Sequence, residues 1–251
     1  MSSGPQRLVF GRVAELYDRV RPAYPNELVD QLVAWVGADA RVLEAGTGTG
    51  KATVQLAQRG MEGVGVEPDR EMARVALRNL AAYPGWRVDV ADFEEWQPRA
   101  DDPLFDLVTA AQAWHWIDRD RGTAQAERLL RPGGWLALFA HEPEFENSPL
   151  RVAIDEIYAD LAPEPSAQSR APTEIVPQSS AFGSPIELEF RSVVEYTTQE
   201  AVDLSRTHSD KLILPPERRE LLLSRLTETI DAHGGVYREH DVCRLWAVQR
   251  R

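Results

Sequence analysis

The sequence predicts an α/β protein built on a doubly wound, mostly parallel sheet of seven strands, with helical additions after the fifth strand. Two features of this 251-residue chain support the prediction. Segments of strand-like and helix-like composition alternate as far as residue 140, and strands separated by helices pair in parallel through right-handed crossovers. A glycine-rich turn also follows the first of these strands, which is where such sheets bind ligands.

The first five strands are each short, mostly apolar runs, and helical segments separate them. We expect the strands at residues 41–45, 63–67, 86–90, 105–110 and 135–140. We expect the helices at residues 51–59, 70–82 and 123–130. Together these elements predict a Rossmann-like core over residues 36–141, preceded by a helical lid segment over residues 1–35.

The pattern changes after residue 141. Residues 148–161 carry apolar side chains at helical spacing, and residues 162–185 are rich in Pro, Ser and Ala, which predicts an irregular loop. The remaining elements are expected in the order strand 186–196, helices near 198–208 and 216–232, and strand 242–248. Residues 142–251 are therefore expected to supply helical substrate-cap insertions and the last two strands.

Composition narrows the possible partners and compartment. The formal charge of −12 disfavours nucleic acid and anionic membranes, because their phosphates would be repelled at long range. No apolar run is long enough to cross a bilayer, and the first 20 residues lack the apolar segment of a signal peptide. The single cysteine, Cys243, excludes an internal disulfide framework. We expect a cytoplasmic protein, and nothing in the sequence predicts its oligomeric state.

The glycine-rich turn has the spacing G-x-G-x-G at Gly46, Gly48 and Gly50. Glycines at such a turn let the backbone approach a ligand where a Cβ would clash. A dinucleotide fingerprint would need Gly or Ala at position 51, where this chain has Lys51, and no P-loop string is present. A tight turn without a ligand remains an alternative.

Glu67 ends the second predicted strand, about twenty residues beyond the turn. In related folds an acid at this place accepts hydrogen bonds from both ribose hydroxyls of a nucleotide. The alternative is an ordinary acid that caps the following helix. The preceding glycine turn favours the ribose function.

Four strings in order resemble the motifs of class I S-adenosylmethionine-dependent methyltransferases: VLEAGTGTG, GVGVEPDREM, FDLVTAAQAWHWID and LLRPGGWLALF. The opening AELYDRVRPAYP is similar to one broad branch, the methyltransferase type 11 and trans-aconitate-methyltransferase-like proteins. The resemblance covers roughly residues 13–140 well and the rest loosely. It implies S-adenosylmethionine as cofactor, S-adenosylhomocysteine as product, and a small-molecule acceptor, with natural-product tailoring slightly favoured over primary metabolism.

The resemblance also implies which residues contact the cofactor. Glu44 takes the place of the acid near the methionine amino group, and the three turn glycines line the methionine and ribose. Glu67, followed by Pro68, would hold the ribose hydroxyls.

The remaining cofactor residues are expected after the third and fourth strands. Asp92 matches the acid that accepts from the adenine amino group, although several acids crowd the same turn. The Phe93 backbone would lie against the adenine ring, and Ala111 and Gln112 would border the sulfonium.

Candidate catalytic and acceptor-binding residues are less sharply indicated, because methyl transfer needs a base only for a protonated acceptor. His115 is the best candidate base or acceptor-orienting group, and a structural role is equally supported. Trp114 and Trp116 are candidates for a substrate wall, with a core position expected for at least one of them.

The amino-terminal segment folds over the active site in similar proteins, which makes Tyr17 and Tyr24 candidate catalytic residues. Arg21 is expected to pair with a carboxylate of the cofactor or acceptor, or else with a surface acid. His208 is a candidate substrate wall, and His141 receives no role. The histidines are scattered, so no metal site is expected, and Asp118 is interpreted as a helix-start acid.

Three alternatives remain. A nucleic-acid methyltransferase is disfavoured by the charge, and by AAQA at residues 110–113 where amino-directed enzymes carry N/D-P-P-Y/F. Cyclisation of the cofactor's aminobutyryl arm would use the same cofactor site. A binding protein without activity is disfavoured by the intact turn and Glu67, which do not guarantee turnover.

Overall fold

The computed structural model describes residues 10–145, 148–162 and 179–251. Most of the loop expected over residues 162–185, and the first nine residues of the expected lid segment, lie outside this part. In chain order the elements are α1 (Ala14–Val20), α2 (Asn26–Val36), β1 (Arg41–Ala45), α3 (Lys51–Gln58), β2 (Glu62–Val66), α4 (Arg70–Asn79), β3 (Trp86–Asp89), β4 (Phe105–Ala111), α5 (Arg119–Leu129), β5 (Leu130–Glu144), α6 (Pro149–Leu161), β6 (Ile186–Thr197), α7 (Thr198–Arg206), α8 (Ser209–Leu212), α9 (Pro216–Ala232) and β7 (Val236–Gln249). Short 3-10 helices lie at Phe10–Val13 and Trp114–Trp116.

The seven strands form one sheet in the order β3-β2-β1-β4-β5-β7-β6. Strand β1 pairs in parallel with β2 and β4, and the pairs β2–β3 and β4–β5 are also parallel. The predicted doubly wound, mostly parallel fold is confirmed. The order of the strands reverses between β1 and β4, so the crevice at their carboxyl ends is the expected ligand site.

Three elements begin well before their predicted limits, and one of them is β7, which begins at Val236 rather than residue 242. Helix α5 begins four residues early, because the Asp118 side chain caps it by accepting a hydrogen bond from the Arg121 backbone N–H at 3.0 Å. Strand β5 begins at Leu130 rather than residue 135, and its pairing with β4 shifts register between Phe105 and Leu107. The prediction missed this start because Pro132 and two glycines interrupt the apolar pattern.

Alternate residues of the central strands enter two separate apolar clusters. Val42 and Leu107 belong to one cluster, with residues of α2 and α3, whereas Leu43 and Val108 belong to the other, with residues of α5. Successive side chains of a strand point to opposite faces, so each central strand is apolar on both sides. Because both faces of these strands are packed against apolar side chains, the carboxyl ends of the strands are held in place at the crevice.

The chain divides into two compact units. The first unit lies within Met1–Pro22, Glu142–Ser169 and Arg191–Val242, and the second within Ala23–His141, Arg170–Phe190 and Cys243–Arg251. This division differs from the segments 1–35, 36–141 and 142–251 expected from the sequence. Helix α2 falls in the second unit, because Leu28 and Leu32 are fully buried in one of its clusters.

The first unit has its own apolar cluster. Helices α6 and α9 supply most of it, with Ile154, Ile157, Leu222 and Leu226 all nearly fully buried. Within the part of the chain that the structure describes, no helix has the length and apolar character needed to span a membrane.

Candidate functional site

The glycine turn lies at the carboxyl end of β1 and is tied to β2. The backbone N–H groups of Gly46 and Thr47 donate to the Val66 carbonyl at 2.8 and 3.2 Å. Gly46 has a φ of 69°, and a Cβ placed there would lie 2.4 Å from the Cβ of Ala113. Both the backbone conformation and the close approach of the chain after β4 therefore require glycine. The turn is thus held close to both β2 and the chain after β4.

Glu67 is buried at the end of β2 and reaches the turn. Its Oε2 accepts a hydrogen bond from the Gly48 N–H at 2.8 Å, and its Oε1 accepts from the Asp69 N–H at 2.9 Å. Asp69, and not Glu67, caps α4 by accepting from the N–H groups of Glu71 and Met72. A carboxylate offers about four acceptor sites, so these contacts are compatible with the binding of ribose hydroxyls by Glu67.

Glu44 lies in β1, just before the glycine turn in the sequence, with 1% of its surface exposed. Its Oε2 accepts hydrogen bonds from the hydroxyls of Thr47, at 3.3 Å, and of Thr53. Burial raises the pKa of the Glu44 carboxyl to about 8, against the lowering effect of the two hydroxyls and with a small contribution from the Glu67 charge. In the described part of the chain no cationic side chain pairs with Glu44. A ligand ammonium would supply the missing countercharge.

Asp89 at the end of β3 and Asp92 just after it make different contacts. Asp89 accepts a hydrogen bond from the Trp96 indole at 3.0 Å and forms ion pairs with Arg87 and Arg99. Asp92 starts the next turn, where its carbonyl accepts from the Trp96 N–H, and Phe93 beside it is buried. Asp89 is therefore held by contacts within the protein.

The segment after β4 contains the one non-glycine residue with positive φ in the described chain. Gln112 has a φ of 57°, and its N–H donates to the Phe139 carbonyl at 2.8 Å. Its side-chain Nε2 lies 3.5 Å from the His141 carbonyl oxygen. Such a conformation is strained for a side chain like glutamine, and strain of this kind is concentrated at functional sites. Ala111, at the end of β4, is half-buried.

The WHW string separates into buried and accessible side chains. Trp114 is buried with Phe93, with ring centroids 6.1 Å apart, and is the tryptophan that takes the core position left open by the sequence. His115 is exposed, and its ring centroid lies 4.7 Å from that of half-buried Trp116. His115 and Trp116 are therefore the accessible members of the string.

Tyr24 and His141 meet at the carboxyl end of β5. The Tyr24 backbone N–H donates to the Gln55 side-chain oxygen at 3.0 Å, and the Gln55 amide donates to the Tyr24 carbonyl at 2.8 Å. The Tyr24 ring stacks on His141 with centroids 4.7 Å and planes 15° apart. His141 belongs to no sequence motif, and for this reason no role could be predicted for it. Its position just after a predicted central strand was the available signal.

Three other candidate residues are clustered in the first unit. The Arg21 guanidinium donates to the Thr207 hydroxyl at 2.9 Å and to the Thr207 carbonyl at 3.1 Å, and it lies 5.1 Å from the Tyr17 ring centroid. In the described part Arg21 pairs with no acid, so the alternative of a surface salt bridge is not seen there. His208 follows Thr207, and burial lowers its pKa well below the ordinary value, assisted by the charges of Arg21 and Lys211.

Among the described residues, no three His, Cys, Asp or Glu side chains gather in the way that would hold a metal ion. Asp118 is the helix-start acid that the sequence predicts, since it caps α5. The candidate site consists of the glycine turn, buried acids and aromatic side chains, whose chemistry suits a nucleoside with a charged amino-acid arm.

Comparisons with known proteins agree with this interpretation. Residues 42–134 match the sequence model of a methyltransferase domain. An uncharacterized methyltransferase from Mycobacterium tuberculosis is 41% identical over 134 residues, which are 52% of this chain and 51% of the relative. The chain thus spans about half the length of that relative. An uncharacterized methyltransferase from Geobacillus kaustophilus is 30% identical over 163 residues, covering 60% of this chain and 73% of the relative.

Solved structures share the fold across almost the whole chain. A candidate type II methyltransferase from Anaeromyxobacter dehalogenans has a TM-score of 0.64 at 26% identity, covering 91% of this chain and 96% of the other. A methyltransferase from Thiobacillus denitrificans in complex with S-adenosylhomocysteine has a TM-score of 0.53 at 14% identity, with full coverage of both chains. The cofactor implied by the sequence motifs is confirmed as that of the family. The chain belongs to the class I S-adenosylmethionine-dependent methyltransferases.

Proposed function

We propose that the protein transfers a methyl group from S-adenosylmethionine to a small-molecule acceptor of the kind modified in natural-product tailoring. The observation that supports this most is the glycine turn at the carboxyl end of β1, which is flanked by the buried acids Glu44 and Glu67. The turn lies at the carboxyl ends of β1 and β4, where doubly wound sheets bind nucleotides.

The residues present fit each part of the cofactor. Glu67 would accept from the ribose hydroxyls, Glu44 would face the amino group, and Asp92 with Phe93 would hold the adenine. By the resemblance to the family, Ala111 at the end of β4 and Gln112 just after it would border the sulfonium. The bound cofactor supplies an electrophilic methyl carbon. The chain's own contribution is to align the acceptor with this carbon for in-line displacement.

Proton removal is needed only when the acceptor atom is protonated. His115 is exposed after β4 and is the proposed base for such an acceptor. Tyr24, stacked on His141 near Gln112, is the proposed aromatic wall at the end of β5. Trp116, whose ring centroid lies 4.7 Å from that of His115, is a proposed acceptor-binding residue. Within the first unit, Arg21 and His208 are proposed acceptor-binding residues, and Tyr17 is a proposed catalytic residue.

A small acceptor fits the charge of the protein better than a polymer does. The net charge of −12 would repel a phosphate backbone, and AAQA at residues 110–113 lacks the string with which amino-directed enzymes grip a flipped base. The test is to measure S-adenosylhomocysteine formation with panels of phenols, carboxylic acids and amines, and with duplex DNA and transfer RNA. Turnover with a small molecule supports the proposal, and turnover with nucleic acid alone would overturn it.

A further inference from the structure

Helix α5 holds the turn that follows β3, residues 92–96, through a buried glutamine. Gln125 has 7% of its surface exposed, and its side-chain Nε2 donates to the backbone carbonyls of Phe93 at 3.1 Å and of Trp96 at 2.6 Å. We propose that Gln125 is a positioning residue, which holds this turn in the shape that recognises adenine. The inference rests on the proposed function, which assigns Asp92 and Phe93 to the adenine.

A second contact fixes the orientation of the Gln125 amide. Its Oε1 accepts hydrogen bonds from Nη2 and Nε of Arg128 at 2.9 and 3.3 Å. A guanidinium donates hydrogen bonds and cannot accept them, so the amide oxygen must face Arg128 and the amide nitrogen must face the turn. Both N–H bonds of the amide are then used, one for each carbonyl. The whole donor capacity of Gln125 is therefore spent on this one turn.

The backbone of the turn shows what this support achieves. The Asp92 carbonyl accepts from the N–H groups of Glu95 and Trp96 at 3.1 and 2.9 Å, so it points into the turn. In a trans peptide group the N–H points away from the carbonyl, so the Phe93 N–H points out of the turn. No hydrogen bond within the described chain uses this N–H, although Phe93 is buried. It is therefore available to a ring nitrogen of a purine.

The other contacts between the turn and the start of α5 lie at the surface. The Asp118 backbone N–H donates to the Glu94 carboxylate at 2.9 Å, and Arg121 forms an ion pair with Glu95 in which both side chains are exposed. Water and salt screen such surface contacts, so their loss has little effect. Buried carbonyls that lose their donor are left without a partner, which is unfavourable. Gln125 is thus the main support of the turn from α5.

The test compares two ligands that differ only in the purine. S-adenosylhomocysteine carries adenine, whereas S-inosylhomocysteine carries hypoxanthine, in which a carbonyl replaces the amino group and a ring N–H replaces an acceptor nitrogen. Calorimetry of the wild type should show that the adenine ligand binds at least about tenfold more tightly, the effect of one or two hydrogen bonds. Failure to bind S-adenosylhomocysteine, or equal binding of both ligands, would contradict the proposed adenine residues themselves.

Two variants of α5 separate positioning from stability. Gln125→Met keeps the length of the side chain without its donors, so the affinities for the two ligands should become nearly equal. Thr123→Val is the matched control, because this buried hydroxyl donates to the Arg119 carbonyl within the helix and not to the turn. Its preference for adenine should equal that of the wild type, even where its melting temperature falls. A purely structural role predicts the same result for Gln125→Met, and that result would overturn the inference while leaving the proposed function intact.

Arg128→Ala provides a second test that does not alter the buried core. Arg128 is exposed, so this variant should fold even if Gln125→Met does not. Without Arg128 the Gln125 amide keeps its donors but loses the contact that orients it. The preference for adenine should therefore fall by about two- to threefold, less than in Gln125→Met. A wild-type preference in every variant that folds would overturn the inference.

Discussion

The Glu67 carboxylate at the end of β2 accepts a hydrogen bond from the backbone N–H of Gly48 at 2.8 Å. The acid proposed to bind the ribose hydroxyls therefore also fixes the position of the glycine turn. Because one side chain orders the turn and contacts the ligand, its removal should affect binding in two ways.

Glu67→Ala should weaken the binding of S-adenosylhomocysteine by about 1.5–3 kcal/mol, the range for charge-assisted hydrogen bonds. Loss of the Gly48 contact should place the effect at the upper end. Calorimetry gives the affinity, with Glu71→Gln as the exposed control. Affinity equal to that of the wild type would exclude Glu67 from the ribose site.

Gly46→Ala should damage the site more than Gly48→Ala does. A Cβ at position 46 would lie 2.4 Å from Ala113 Cβ, whereas at position 48 the nearest atom is Met72 Cε at 3.7 Å. The second variant should lose only about 1 kcal/mol to backbone strain. Melting temperature and ligand affinity should both fall further for the first variant. Combination with Ala113→Gly should restore part of the loss, and a combination no better than Gly46→Ala would contradict the steric explanation.

Because Gln112 has a positive φ, a glycine at this position should give a more stable protein than an alanine, which is the reverse of the order in a helix. Gln112→Gly should be more stable than Gln112→Ala by about 1 kcal/mol, because glycine adopts this conformation without strain. The matched pair is Glu228→Gly and Glu228→Ala on α9, where alanine should be the more stable. Denaturant unfolding of the four variants gives the free energies of unfolding to be compared. The same order at both positions would show that position 112 is not strained in solution.

Glu44 should make the stability of the ligand-free protein fall with rising pH. Its pKa is raised from the ordinary value of 4.5 to about 8, so between these limits the folded protein holds a proton that the unfolded chain has lost. The resulting loss of folding stability is absent below pH 4.5 and complete above about pH 8. Glu44→Gln avoids it, so its advantage over the wild type should be larger at pH 9 than at pH 5, by on the order of a few kcal/mol. An equal difference at both pH values would show that Glu44 titrates normally.

His115→Ala should lower turnover with a protonated acceptor by roughly 10²- to 10⁴-fold, the range for a general base. The affinity for S-adenosylhomocysteine should stay near that of the wild type, because His115 is exposed. His233→Ala, at the exposed end of α9, is the control. A parallel loss of cofactor affinity would favour a structural role.

Features set by local sequence could be predicted well. The bounds of β1 and α9 agree with the expected ones, since apolar periodicity and turn residues determine them. The glycine turn and Glu67 were also found, because a motif of fixed spacing marks them.

Features set by distant contacts could not be predicted. Arg21 and Thr207 are 186 positions apart, and no local pattern links them. The stacking of Tyr24 on His141 likewise depends on which segments become neighbours. The same is true of Glu44, which has no cationic partner among the described residues. The place of α2 in the second unit follows from its packing on the sheet, which the sequence alone does not show.

Calorimetry of the purified protein with S-adenosylmethionine, S-adenosylhomocysteine and NAD tests the central claim most directly. We predict micromolar binding of the first two ligands and no binding of NAD, because Lys51 stands where a dinucleotide turn needs a small residue. Binding of NAD alone would contradict the assignment of the glycine turn and, with it, the proposed function.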